Sequence, residues 1–284
     1  MNKSSQPTVS VCIPAYNSEK YIGKTIQSAL SQTYQDFELV IVDDCSTDRT
    51  LNTIKEYKDP RIRLIENEKN LGPEKNWNMA LAEAKGKYIK LLHHDDLLSD
   101  SCLERQVAIL KNTAHNDVVL VCCSRYIIDE NDNIILKRGF KNKNGKFPGH
   151  RIIKEAIRSG ANLIGEPTAV LFRAEILNQV DNFNGSIPYL IDMELWCRML
   201  LRGKIYIISD PLCTFRVSST SLSMAIGSSQ GRDFKAFADK LYKNKDYHLT
   251  WHDCALSKFK GYLNGVLRHL FYKFVLKRKK TMRF

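Results

Sequence analysis

The 284-residue sequence lacks several signatures that would decide its class at once. It has no run of about eighteen or more apolar residues, so no transmembrane helix is expected. Its first residues, MNKSSQPTVS, carry no apolar leader, so no secretory signal is expected. Eight Cys residues are present, yet none forms a CxxC pair or a Cys/His ladder, which argues against a zinc site. Unpaired-looking Cys without an export signal fits the reducing cytosol. Neither GxGxxG nor GxxxxGK[ST] occurs, which argues against a nicotinamide dehydrogenase and a P-loop kinase. No internal repeat is visible.

One further absence is local. From Ala255 to the C-terminus there is no Asp or Glu, against nine Lys or Arg. The net charge is +12, so most of it sits in that segment and the rest is nearly balanced. A basic tail of this kind fits an anionic partner: lipid headgroups, nucleic acid or substrate phosphates. Hydrophobic content of 43% and charged content of 26% are ordinary, so the chain can bury a full core.

What is present alternates. TVSVCI (Thr8 to Ile13) and FELVIV (Phe37 to Val42) read as strands, the second of the buried parallel kind. Ile62 to Ile65 and Tyr88 to Leu92 read as two more. Between them, Glu19 to Gln32 has helical apolar spacing with Ser18 as N-cap, Asp48 to Tyr57 is helical, and Pro73 to Ala84 starts on a first-turn Pro. Strand–helix–strand units at this spacing predict a mostly parallel α/β sheet with helices on both faces. Ligands then bind beyond the carboxyl ends of the strands. Those ends are Pro14–Asn17, Asp43–Asp48 and His93–Asp96.

The second half is less regular. A helix is expected over Asp100–Lys111, a strand over Val118–Cys123 and a hairpin over 127–136 turning at Glu130–Asn133. Lys137–Gly149 reads as a basic loop, and Ile152–Arg158 and Met193–Leu201 as helices. Thr168–Phe172 and Ile205–Ile208 read as strands, and Ser218–Arg232 as a mobile segment.

Three acidic groups carry candidate chemistry. Asp43 and Asp44 close the second strand, where carboxylates can accept from ribose hydroxyls or a base N–H; a turn or helix cap is the plain alternative. His93-His94-Asp95-Asp96 follows an apolar strand. Carboxylates there can hold Mg²⁺ or Mn²⁺ against a pyrophosphate, while capping of the next helix is the alternative. Asp192 and Glu194 in YLIDMELWCRML stand at a helix start, where an acid can act as general base or simply as N-cap. Lys75, near Asn70, Gly72 and Asn76, can face phosphates or a base.

In order along the chain, VSVCIPAYN, VDDCSTD, NLGPEKNWNMAL, YIKLLHHDDLL and IDMELWCRML resemble motifs of glycosyltransferase family 2, the inverting enzymes of the GT-A fold. The resemblance covers Thr8 to Arg216, about three quarters of the chain. It implies that Tyr16 and Asp44 hold the nucleobase, with Pro14 in the opening turn and Asp43 and Lys75 helping at the nucleotide. It implies Asp95 as ligand of the metal and diphosphate with Asp96 beside it, and Asp192 as base, with Glu194 the alternative. His93 stands where the family has the first Asp of its metal motif, and Ile191 where a Glu often precedes the base. GEPTAVLFR (Gly165 to Arg173) resembles a segment of bacterial enzymes that build O-antigen or capsule, which implies Glu166 on the acceptor side; a strand entry with Pro167 setting the turn is the plain alternative.

The expected activity is therefore transfer from a nucleotide-sugar, a UDP-sugar by resemblance, to a saccharide or lipid-linked acceptor. A non-catalytic nucleotide-sugar-binding subunit is the alternative. Residues 1–98 form the donor half, 99–216 the acceptor half, and 217–284 a flexible and basic extension. Within that extension Ala255–Val275 has helical apolar spacing with interspersed cations, followed by KRKK at 277–280. Such a helix fits the inner face of the cell membrane. No nucleic-acid reading motif accompanies the charge, and a homodimer is compatible with everything above.

Overall fold

A computed structural model describes residues 6–218 and 229–280. Four strands form its parallel half: β1 (Val9–Ala15), β2 (Phe37–Asp43), β3 (Ile62–Glu66) and β4 (Tyr88–Leu91). They lie in the order β3-β2-β1-β4, joined by α1 (Ile22–Leu30), α2 (Thr50–Glu56) and α3 (Pro73–Ala82). The pleat explains the continuous apolar runs. On β1, Val11 and Ile13 feed one core and Cys12 the other; on β2, Leu39 and Ile41 oppose Val40 and Val42 in the same way. Helices cover both faces, so both sides of each strand must be apolar.

Beyond β4 the sheet becomes mixed. After α4 (Cys102–Lys111) come β5 (Val118–Ile128), β6 (Ile134–Arg138), β7 (Gly145–Pro148), α5 (Gly149–Ser159), β8 (Val170–Arg173), α6 (Ile191–Leu200) and β9 (Lys204–Arg216). β8 lies antiparallel between β4 and β5, while β9 runs parallel to β5. β5 and β6 form the expected hairpin, and β7 closes the far edge. One nine-stranded sheet thus passes through both residues 1–98 and residues 99–216.

Three boundaries differ from the sequence reading. Ser18 does not cap α1: the helix begins after Tyr21, and the Ser18 carbonyl accepts from the Tyr21 and Ile22 amides. β9 extends to Arg216 because its second half pairs with the end of β5 past a register shift at Ser124. Part of the basic loop 137–149 is β7, an edge strand whose pairing partner lies far along the chain. The expected mobile stretch 218–232 falls mostly outside the described residues; its end opens α7 (Gln230–Lys243). The last helix, α8 (Trp251–Lys280), matches the expected basic helix. Among the described residues no helix is long and apolar enough to cross a membrane. All eight cysteines are free.

Candidate active site

The loops after β1 and β2 are tied into one platform. The Asn17 amide donates to Ser46 Oγ (3.0 Å) and the Asn17 Oδ1 accepts from the Thr47 amide (2.8 Å). The Ser18 amide donates to Thr50 Oγ1 (2.6 Å), the Glu19 amide donates to Asp48 Oδ2 (3.1 Å), and the Glu19 carboxylate accepts from the Arg49 amide (2.9 Å) across the same gap. Pro14 is buried at the end of β1, and Tyr16 projects from the platform with 42% of its surface exposed.

Asp43 and Asp44 both serve this platform. The Asp43 carboxylate accepts from Ser46 Oγ (2.6 Å) and the Ser46 amide (3.0 Å). Asp44 reaches the start of α3: its Oδ1 accepts from the Leu71 amide (2.8 Å) and Asn67 Nδ2 (2.9 Å), and its Oδ2 from the Gly72 amide (3.0 Å). A carboxylate there also meets the positive end of the helix dipole. Asp44 Oδ2 keeps an acceptor site beyond that single bond. Asn76 is buried on α3 and donates to the Val42 carbonyl (3.3 Å), fixing α3 to the strand end. Its neighbour Lys75 is exposed on the first turn.

The turn after β4 separates two acids that the sequence presents as a pair. Asp95 is partly exposed, whereas Asp96 is fully buried. Asp96 Oδ2 accepts from Thr168 Oγ1 (2.7 Å) and Oδ1 from the Arg216 amide (2.8 Å). Burial, and then the charge of Asp95, push the Asp96 carboxyl well above its usual range. Asp96, expected beside Asp95 as a metal ligand, accepts on both oxygens from the protein here and anchors the turn that carries Asp95. Arg216 reinforces this, donating from Nε to the Asp95 carbonyl (2.7 Å) and pairing with Asp132 (2.7 Å). His93 stacks at 4.8 Å on Trp77, and burial lowers its pKa to about 4, so it is neutral at pH 7. Its buried Nε2 has no hydrogen-bond partner among the described residues.

The third group lies on α6. Asp192 is 8% exposed, in the first turn of α6 rather than at its cap, which is Leu190. Its Oδ2 accepts from Asn162 Nδ2 (2.8 Å) and its Oδ1 from the Met193 amide (2.7 Å). Burial, reinforced by the charge of Glu166, raises its pKa to about 7. Glu166 is held as an anion: burial opposes its ionisation, but the ion pair with buried Arg125 prevails and its pKa falls. The charge of Glu166 is also felt at His93 and Asp96, where it favours the protonated form of each. The loop at Gly165 is fixed by Trp196 Nε1 and Asn162 Nδ2, both donating to the Gly165 carbonyl (3.0 and 3.1 Å). Gly165 has φ of 121°, and a Cβ would meet Ala169 Cβ at 2.8 Å.

Glu194 is turned to another task. Its Oε2 accepts from Arg198 Nε (2.9 Å) and Nη2 (2.7 Å), and its Oε1 from Lys240 (3.0 Å), so it pins α7 to α6. Both oxygens of this carboxylate are thus engaged by cations of the protein itself. Sequence reasoning missed Asn162, Arg125, Thr168 and Arg216. ANLIGEP reads as a plain loop, and isolated Arg residues in strands carry no pattern until the pairing brings them to the acids.

Comparison with known proteins agrees with this architecture. The family described as Glycosyl transferase family 2 matches residues 10–180. The chain is 30% identical over 265 residues to the Escherichia coli protein named UDP-Glc:alpha-D-GlcNAc-diphosphoundecaprenol beta-1,3-glucosyltransferase WfaP, covering 93% of this chain and 96% of that one. Among solved structures it resembles S. aureus TarS 1-349 in complex with UDP-GlcNAc (TM-score 0.65, 23% identity, 82% of this chain and 66% of that one). It also resembles the mannosyltransferase PcManGT from Pyrobaculum calidifontis in complex with GDP-Man and Mn2+ (TM-score 0.59, 18% identity, 92% of this chain and 74% of that one). At such identities these structures speak for the fold alone.

Proposed function

Since the chain belongs to glycosyl transferase family 2 and is a glycosyltransferase of the GT-A fold, we propose that it moves a sugar from a uridine-diphosphate donor onto a lipid-linked saccharide hydroxyl, with inversion, in the assembly of a bacterial surface polysaccharide. The match to WfaP over nearly the full length of both chains supports the donor and the acceptor, since that protein is named for UDP-Glc and a GlcNAc-diphosphoundecaprenol.

The observation that carries the mechanism is Asp192. A general base works best with a pKa near the working pH, and burial beside Glu166 brings this carboxyl to about 7. Asn162 holds Oδ2, which fixes the direction of the remaining lone pair. In this reading Asp192 takes the proton of the acceptor hydroxyl as its oxygen attacks the anomeric carbon. The diphosphate leaves on the opposite side, toward Asp95. Tyr16 and Asp44 hold the nucleobase, with Pro14, Asp43 and exposed Lys75 completing the nucleotide site.

Among the described residues no cluster of three or more His, Cys, Asp or Glu is arranged to hold a metal ion. Asp95, as a half-exposed carboxylate at the strand end, fits Mn²⁺ or Mg²⁺ of the kind whose shell is completed by substrate phosphates and water. When bound there, such a cation offsets charge growing on the departing diphosphate. A lipid-linked acceptor would place the chain at the inner face of the cell membrane, with basic α8 as its contact.

The test is a thermal-shift panel of nucleotide sugars with Mn²⁺, followed by acceptor-dependent UDP release. A uridine donor should raise the melting temperature of the native protein and not that of Asp95→Ala. Stabilisation by guanosine or cytidine donors alone would overturn the donor assignment.

A further inference from the structure

A cavity of about 440 Å³ opens between α5 and α8, away from the donor loops. Arg151, Lys154 and Arg158 line it from α5, at spacings that put them on one helix face, and Lys260 lines it from α8. Four cations thus meet one lining carboxylate, Glu155, which is already bonded to Lys143 (3.0 Å). Behind them Asp253 is fully buried and accepts from Lys154 (3.2 Å) and from Arg158. It organises the cluster but offsets only part of its charge. The carbonyls of Ser159 and Gly160 at the end of α5, which would repel an anion, are taken by Asn264 Nδ2 (3.0 Å each). The cavity is therefore electropositive and roomy enough for a phosphate with its substituents.

Next to it lies an uncovered apolar face. Leu256, Phe259, Leu263, Val266, Leu267 and Leu270 are between 36% and 66% exposed. Their spacing places them on one side of α8, and Lys260 borders that side. The opposite side packs through Gly261 against Phe234 of α7 and through the Gly160 turn of α5, so its hydrophobics are not spare core residues. An apolar helix face edged by cations and a cationic cavity is complementary to a bilayer surface, where acyl chains and phosphates lie side by side. Leu163, another lining residue, directly follows Asn162, which holds Asp192.

We propose that the α5–α8 cavity seats the phosphate of an anionic bilayer lipid while the apolar face of α8 lies in the interface. This deepens the membrane location given above and rests on that reading for its setting, though not on the chemistry at Asp192.

The experiment is vesicle flotation of the full chain with phosphatidylcholine vesicles, plain or containing phosphatidylglycerol. Binding to the anionic vesicles should be at least about tenfold tighter, since each cation near such a surface contributes roughly fivefold. Arg151→Glu with Lys260→Glu should abolish that preference. Lys137→Glu with Lys141→Glu, the same charge change elsewhere, should leave it within about threefold. Phe259→Glu with Leu267→Glu should lose both kinds of vesicle. Circular dichroism of each variant, with UDP release in vesicle-free buffer, separates lost docking from lost fold or lost chemistry. Equal loss in both charge pairs, or native binding without anionic preference, would overturn the proposal. So would stabilisation by inorganic phosphate without vesicle binding, which would make the cavity a site for soluble anions.

Discussion

At Asp192 burial acts on activity and on stability with opposite signs. A carboxyl raised to about 7 keeps its proton below that pH, so a base there works only above it. The value of kcat/KM should fall about tenfold per pH unit below 7 and level off above, as a pH-rate profile will read. For stability, the native state holds between about pH 4 and 7 a proton that the unfolded chain has released, so stability declines across that window and is flat above it. Asp192→Asn removes the buried charge. It should melt higher than the native protein at pH 8 and level with it at pH 4, a difference scanning calorimetry can follow. Asn162→Ala removes a hydrogen bond to the charged form. Bonds to charged groups are worth about 1.5–3 kcal/mol, so the midpoint of the rate profile should rise by about one unit or more. An unmoved midpoint would count against Asn162 as the residue that orients the base. The place of Asp192 at the start of a helix was legible in the sequence because the apolar spacing of α6 is local. Asn162 was not, because its partner lies on another element and no local spacing joins them.

Among the elements, those whose apolar pattern is local were legible. α1 declares itself by its helical period and β1 and β2 by short continuous apolar runs, and the polar strand ends marked where a ligand is expected. β7 and the second half of β9 depend on pairing across long stretches of chain, which a local pattern does not encode. The same limit explains Asp96. Next to Asp95 in sequence it reads as a second ligand, but Thr168 and Arg216 come from β8 and β9 territory to occupy it. Contact between elements also depends on single small residues. Gly160 ends α5 with φ of 61°, and a Cβ there would lie 2.4 Å from the Gly261 nitrogen of α8. Gly160→Ala should therefore cost about 2 kcal/mol or more from the left-handed backbone and the contact, lowering the melting temperature by at least about 4 °C. If α8 were loosely attached, the substitution would leave the melting curve in place.

For the molecule as a whole, the parallel half of the sheet carries the tied loops after β1 and β2, and the mixed half carries Glu166 and Asp192. The two are joined by buried polar ties, from Thr168 and Arg216 to Asp96 and from Arg216 to the Asp95 carbonyl. The basic helix lies outside this unit, with its apolar face uncovered. The central claim is that Asp192 acts on the acceptor and not on the donor. It is tested most directly by measuring, on Asp192→Asn, both UDP-sugar affinity in the presence of Mn²⁺ and acceptor-dependent UDP release. The account predicts donor affinity within about twofold of the native protein and release slower by roughly a hundredfold or more. Full turnover by Asp192→Asn would contradict it.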